Sequence, residues 1–337
     1  MLELKVDQFL QAPGIVLDVR SPGEFIQGRI PGAFSFPLFN NDERAQVGTT
    51  YKQNGREQAV ELGLKLVGPK LADFVTQAKN LAQENEASQV KVHCWRGGMR
   101  SSSMAWLLET AGLKTATLKG GYKAFRRHCL ETFANVSEIP SLNVLGGLTG
   151  CGKTNILHAL KRLGEQVIDL EQIANHKGSS YGMIGMTKQP SIEQFENELA
   201  MQIRSLDLSR RVWIEDESHM IGVCKIPDSF FKKIRQSKLY VIERPMEERI
   251  EQLLHEYGSV NSDSLIEATQ RISRRIGGAM TKEIIAHIQQ GQLSSAIELV
   301  LKYYDSTYLY GLSQRNDIHL FSAEGLDHNT VAKQLTM

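Results

Sequence analysis

Along the chain, short apolar runs of strand length alternate with longer stretches whose apolar positions recur every three to four residues. Residues 14–19 (GIVLDV) form one such run, and Ser21-Pro22-Gly23-Glu24 then turns the chain. A second run ends at Val92 and a third covers residues 114–118. Between them, residues 69–84 place Leu71, Phe74, Val75, Ala78 and Leu81 on one helical face, and a helical pattern runs from Ser101 to Thr110. Strand-length runs separated by amphipathic helices predict an open parallel α/β sheet. Residues 41–68 are polar and glycine-bearing, which predicts a partly helical, solvated insertion with Tyr51, Lys52 and Arg56 as the side chains available to a substrate.

Residues 133–141 (FANVSEIPS) are non-periodic and proline-bearing, the pattern of a linker. They divide the chain into domains at 1–132 and 142–337. In the second, strands are expected at residues 142–145, 166–169, 211–216 and 239–243, with helices at 155–163 and 191–208. Beyond Pro245 the pattern is helical almost to Met337, in segments 247–257, 264–276, 282–289 and 293–304 and a last one after Leu326.

Composition adds mainly exclusions. The chain has 337 residues, 41% hydrophobic and 23% charged, enough for two domains that each bury a core. Its four cysteines, Cys94, Cys129, Cys151 and Cys224, follow no metal or disulfide spacing, which points to a reducing cytoplasm. The N-terminus lacks a signal-peptide pattern and no window is apolar enough to span a membrane, so neither export nor a membrane partner is expected. A net charge of +1 gives no support for nucleic-acid binding by the chain as a whole, and DNA is not an expected partner. Any such surface must be a local patch.

The chemistry is concentrated in two loops. In KVHCWRGGMRS (residues 91–101), a strand delivers Cys94 to a glycine-bearing loop followed by a helix. Loop amides, a helix N-terminus, Arg96 and Arg100 all favour a thiolate and an anion beside it. The spacing of His93, Cys94, Gly97, Arg100 and Ser101 resembles both the rhodanese sulfurtransferases and the cysteine phosphatases. DVRSPGEF followed by GRIPGA, within residues 17–37, resembles the opening of a rhodanese domain, and LKGGYKAFRRH (residues 118–128) resembles its close. The likeness covers about residues 13–132. It implies that Cys94 is the chalcogen-carrying cysteine and that Arg96, Arg100 and the loop amides hold the incoming anion. Taken alone, Asp18 and Arg20 read as an ion pair at a strand end. Lys119, Lys123, Arg126 and Arg127 form a basic face that gains weight as a phosphate-backbone contact beside such a loop.

The second loop, GLTGCGKT (residues 147–154), lies between a strand and a helix and matches G-x-x-x-x-G-K-[ST]. Gly147 opens it. The N–H groups of Gly150, Cys151 and Gly152 are expected to wrap a di- or triphosphate, Lys153 to reach its terminal oxygens, and Thr154 to ligate Mg2+. The strand RVWIED places Glu215 or Asp216 to hold that ion through water, and Asp216 is the residue assigned. The acids at Asp169 and Glu171 read equally as neighbours of an acceptor substrate and as helix caps. Arg249, Arg271, Arg274 and Arg275 give the C-terminal helices a local positive character, available for phosphates or RNA.

The joint order of these motifs resembles one family, the tRNA 2-selenouridine synthases, over essentially the whole chain. The resemblance implies a rhodanese-like open parallel sheet domain followed by a P-loop NTPase-like α/β domain with a helical C-terminal extension. It implies a cytoplasmic enzyme, expected to be monomeric, acting on tRNA that bears 2-thiouridine at the wobble position. Geranyl diphosphate alkylates the thiouridine sulfur, and selenophosphate then supplies selenium, carried as a selanyl adduct on Cys94. The loop alone leaves open a sulfurtransferase coupled to an ATP- or GTP-using domain, and apolar side chains beyond the loop would favour the isoprenoid. Two further rivals are a cysteine phosphatase fused to a kinase and a non-catalytic tRNA-binding module.

Overall fold

The computed structural model describes residues 2–136 and 142–337. The chain separates into two compact units, 1–131 and 132–337. The first contains β1 (Leu2–Leu4), α1 (Val6–Gln11), β2 (Ile15–Asp18), α2 (Pro22–Gln27), β3 (Phe34–Ser35), α3 (Asn41–Asn54), α4 (Arg56–Val67), α5 (Leu71–Glu84), β4 (Val90–His93), α6 (Met99–Thr110), β5 (Thr115–Leu118) and α7 (Gly121–Ala134). Its sheet has the order β1-β5-β4-β2-β3, and every pairing is parallel. Each residue of β2, β4 and β5 is buried, as expected where helices cover both faces of a parallel sheet. Phe74, Ala78 and Ala82, one helical turn apart on α5, and Met104, Ala105 and Leu108 on α6 close the core. Even Lys91 in the central strand is buried, its ammonium donating to the carbonyls of Phe9 (3.0 Å) and Ala12 (2.6 Å). The polar insertion is helical almost throughout, as α3 and α4, and Tyr51, Lys52 and Arg56 are exposed.

The second unit contains β6 (Leu142–Gly147), α8 (Lys153–Arg162), β7 (Gln166–Ile168), α9 (Leu170–Ala174), α10 (Ile192–Arg204), β8 (Val212–Glu215), β9 (Met220–Ile221), β10 (Cys224–Lys225), α11 (Asp228–Gln236), β11 (Lys238–Glu243), α12 (Met246–Tyr257), α13 (Ser262–Arg271), α14 (Ser273–Ile276), α15 (Gly278–Gln289), α16 (Leu293–Leu312), β12 (Ile318–Ser322) and α17 (His328–Thr336). Its sheet, β12-β11-β6-β8-β7, is again all parallel, and β9 and β10 form a small antiparallel pair. The wholly buried strand β6 runs directly into the phosphate loop, and α8 packs Ile156, Leu157 and Leu160 into the core beneath it.

Four expectations about the elements are corrected. The region after Pro245 is not helical throughout: β12 adds a parallel edge to the sheet, and as a half-exposed edge strand, with Leu320 in solvent, it has no continuous apolar run to betray it. The helix expected over residues 264–276 is interrupted at Ile272, and the one expected to end at Tyr304 continues to Leu312. The segment read as a linker begins inside α7; Phe133 is buried and its carbonyl accepts from the Ser229 hydroxyl at 2.7 Å, while residues 137–141 lie outside the described residues. No helix among the described residues is long and apolar enough to cross a membrane.

Candidate active sites in the two units

In the first unit, β4 ends at His93 and the next residue, Cys94, starts the loop that α6 closes. The first turn of α7 binds the back of this loop: the N–H of Tyr122 donates to the Cys94 carbonyl (2.8 Å) and that of Lys123 to the Trp95 carbonyl (2.9 Å). Gly121, at φ +60°, approaches so closely that a Cβ there would sit 2.8 Å from the Arg96 nitrogen and clash with the Cys94 carbonyl. These bonds hold the back of the loop, and the N-terminus of α6 closes its other end. This is the physical reason for the Gly-Gly-Tyr segment noted in the sequence.

Cys94 is nearly buried (3% exposed), with Sγ 3.2 Å from the Ser101 hydroxyl, which itself donates to the Gly98 carbonyl. Together with Trp95, Arg96, Gly98, Met99 and Arg100 it lines a cavity of about 330 Å3. Arg96 is exposed at this cavity. Arg100 lines it too, but its guanidinium is bound to Glu24 (3.0 Å), so its charge is already shared. Burial pushes the Glu24 carboxyl up, and Arg100 and Arg44 more than offset this, leaving its pKa below the usual range. Arg56, from the insertion, reaches Met99 with Nη2 3.8 Å from Sδ.

Asp18 and Arg20 are a buried structural pair. Arg20 binds the carboxylate through Nε (2.9 Å) and Nη2 (2.6 Å), donates to the Gly28 carbonyl (2.6 Å), and lies 3.7 Å over the Tyr122 ring. His93 lies fully buried between Phe9 and Tyr122.

In the second unit the phosphate loop forms the polar end of a cavity of about 730 Å3. Gly147, Gly150, Gly152, Lys153 and Thr154 line it. Cys151 does not: its side chain is packed in the core with Ile156 and Leu157, and its N–H donates to the Leu148 carbonyl at 3.2 Å. Lys153 donates to the Gly147 carbonyl (3.0 Å), and the Gly147 N–H donates to the Tyr308 hydroxyl (2.7 Å). Burial lowers the Lys153 pKa, and its neighbours Cys151, Glu217, Tyr308 and Glu171 more than reverse this and hold it above the ordinary value.

The acidic residues are arranged differently from the sequence expectation. Asp216 lines the cavity, but its carboxylate is bound by Arg315 and by Arg235 (3.3 Å), so it is not the acid facing Thr154. That acid is Glu171, whose Oε2 accepts from the Thr154 hydroxyl at 3.0 Å. Burial and the neighbouring Glu217 push the Glu171 carboxyl up to about 8, against the opposing pull of Lys153 and Thr154. Glu217 is raised by burial as well, and Glu215, wholly buried and accepting from the Leu170 N–H at 2.8 Å, is raised well above the carboxylate range. The strand β8 ends at Glu215, so its alternation does not fix where Asp216 and Glu217 point, and both of these line the cavity while Glu215 does not. Asp169 is the N-cap of α9, accepting from the Gln172 N–H.

Tyr308 had no sequence signal, since it lies 161 residues from the glycine it meets. Arg249 is not a surface phosphate grip. It is buried under the loop, donating to the Thr149 carbonyl (3.1 Å) and bidentate to Asp305 (2.8 and 2.7 Å). Arg271, Arg274 and Arg275 are exposed. Besides the loop, the cavity is lined by the aromatic Tyr181, Tyr257 and Tyr304, by the aliphatic Leu265, Ile284, Ile288, Ala296, Ile297 and Leu301, and by the polar Lys177, Gln252, His255 and Glu256.

Comparison with known proteins agrees with this two-site arrangement. Residues 4–128 match the model of the rhodanese-like domain and residues 140–336 that of the tRNA 2-selenouridine synthase AAA domain. The tRNA 2-selenouridine synthase of Shewanella denitrificans is 34% identical, with 94% of this chain and 93% of that protein covered. The chain belongs to the tRNA 2-selenouridine synthase family. Other members, from Bdellovibrio bacteriovorus (34% identical, 95% of each chain) and Nitrosomonas europaea (32%, 92% of each), are related over similar lengths. A solved N-terminal domain of a Clostridium difficile protein described as ATP/GTP-binding is 38% identical over 38% of this chain and 98% of that one, with a TM-score of 0.36. In this member of the selenouridine synthase family, the rhodanese-like part holds the Cys94 loop and the AAA part holds both the phosphate loop and the apolar cavity.

Proposed function

We propose that the chain converts 2-thiouridine at the wobble position of tRNA into 2-selenouridine, by S-geranylation with geranyl diphosphate at the phosphate loop and selenation with selenophosphate at the Cys94 loop. The observation that carries this reading is the set of aliphatic and aromatic side chains that share the 730 Å3 cavity with the glycine loop. A nucleotide needs polar partners for its base and ribose, whereas an isoprenoid tail needs only apolar surface. The names of the relatives support tRNA as the acceptor.

In the first step the thiouridine sulfur attacks C1 of the geranyl group, the C1–O bond breaks with its electron pair on the diphosphate, and the N3 proton of the base departs. Lys153 and the loop amides would take up the charge growing on the leaving group. Thr154 and Glu171 fit a Mg2+ shared with the diphosphate, since this ion is usually held by one or two protein ligands and substrate oxygens. When bound it would neutralise part of the diphosphate charge. Tyr304, one turn along α16 from Tyr308, would offer its ring to the allylic cation.

Alkylation turns a poor leaving group into a thiol. In the carrier route, the Cys94 thiolate bonds selenium and the Se–P bond breaks toward phosphorus, releasing phosphite. The selenide end then adds at C2 of the base as geranyl thiol departs. An external thiol next cleaves the S–Se bond, leaving selenium on the base and a mixed disulfide at Cys94 that a second thiol resolves. Lys119, Lys123 and Arg127, exposed at the start and along α7, would meet the RNA backbone.

Titration with geranyl diphosphate against ATP tests the first site: geranyl diphosphate should bind tighter, and Lys153→Ala should abolish binding and the first step. A preference for ATP would replace the reading by the nucleotide-coupled sulfurtransferase. For the second site, Cys94→Ala should accumulate geranylated nucleoside, read by mass analysis of digested tRNA. Phosphorus NMR should show phosphite. Orthophosphate with normal turnover of the Cys94 variant would mean direct attack by selenophosphate and no carrier.

A further inference from the structure

We propose that one face of α16 measures the allylic chain, with Ala296 and Ile297 deciding how many isoprene units the second site accepts. This rests on the diphosphate reading of the phosphate loop and adds the residues that set tail length. Tyr308, Tyr304, Leu301, Ile297 and Ala296 all line the cavity, at steps of four, three, four and one residues that keep them on a single stripe. The stripe is fastened to the loop at one end. The Tyr308 hydroxyl accepts from the Gly147 N–H, and Asp305, on the same part of the helix, holds the Arg249 that donates to Thr149.

Distance from the loop can therefore be read as position along α16. At 1.5 Å per residue, Leu301 lies about 10 Å and Ala296 about 18 Å along the axis from Tyr308. An extended isoprene unit is about as long as one helical turn, ~5 Å. A two-unit tail leaving the loop thus ends near Leu301, and a three-unit tail reaches Ile297 and Ala296. Leu265 on α13 and Ile288 on α15 line the same cavity and pack with Ala296 in one buried cluster. The charged residues of this half of α16, Glu298 and Lys302, pair with each other at 2.8 Å on its solvent side. The channel therefore holds a tail of up to three units and ends where Ala296 packs against its cluster.

The test is equilibrium binding of dimethylallyl, geranyl and farnesyl diphosphates to the full chain, with inorganic pyrophosphate and ATP as references. For the native protein, affinity should rise about tenfold with each added unit through farnesyl. Ala296→Phe should weaken farnesyl diphosphate at least about tenfold and leave dimethylallyl diphosphate unchanged. Ile297→Ala, which only removes atoms, should shift preference toward the longer tail, and it keeps the test decisive if the bulky variant does not fold. Equal affinities for all three tails, or a uniform loss in both variants, would overturn the ruler while leaving the diphosphate site in place. Tighter binding of ATP than of any allylic diphosphate would overturn both.

Discussion

His93 shows what single residues contribute beneath the Cys94 loop. It is fully buried, its two ring nitrogens have no hydrogen-bond partner among the described residues, and burial brings its pKa down to about 4, with Asp18 pulling up and Arg20 pulling down. The native imidazole therefore stays neutral while the unfolded one takes a proton below pH 6.5. Stability should fall as pH drops from 6.5 to 4 and level off below, by about 3 kcal/mol at about 1.4 kcal/mol per pKa unit. His93→Phe, which keeps a ring between Phe9 and Tyr122, should remove this slope. Urea unfolding between pH 4 and 7 checks it, in a Trp213→Phe background so that Trp95 and Trp106 report on the first unit. At this scale the loop residues were legible in the sequence because each motif position is fixed by contacts a few residues away. Glu217, Tyr308 and Arg249 were not, because their partners lie on other elements.

Among the elements, α16 joins the two ends of the second site. Its continuation past Tyr304 places Asp305 and Tyr308 against the phosphate loop, and its earlier turns line the apolar cavity. Asp305→Ala would leave the Arg249 guanidinium buried without its counter-charge, a loss of about 3–5 kcal/mol. Thermal unfolding of the second unit should move down by about 10 °C, and the double variant Arg249→Met, Asp305→Leu should recover most of it. If the single variant melts like the native protein, the clamp is not what holds the loop. The extension of α16 was hidden because residues 305–312 mix polar and aromatic positions, and helical length there is decided by packing on the loop.

At the scale of the whole molecule, each unit has its own parallel sheet, its own core and its own glycine loop. Inactivating one loop should therefore leave the other intact. Lys153→Ala and Cys94→Ala proteins, each unable to complete the conversion, should together restore 2-selenouridine when mixed with 2-thiouridine tRNA, as read by nucleoside mass analysis. Failure of the mixture would show that the alkylated tRNA does not pass between molecules. By itself the sequence determined the order of two α/β units, the positions of the two glycine loops, and the family, because these are written in short segments whose turns and periodicity are local. Tertiary structure alone decided which acid faces Thr154, what guards Asp216, and that the phosphate loop opens onto hydrocarbon. Glu171 lies only 17 residues from Thr154 but on a separate helix, Arg315 reaches Asp216 from 99 residues away and Tyr308 reaches the loop from 161, and no local pattern encodes where a side chain from another element comes to rest.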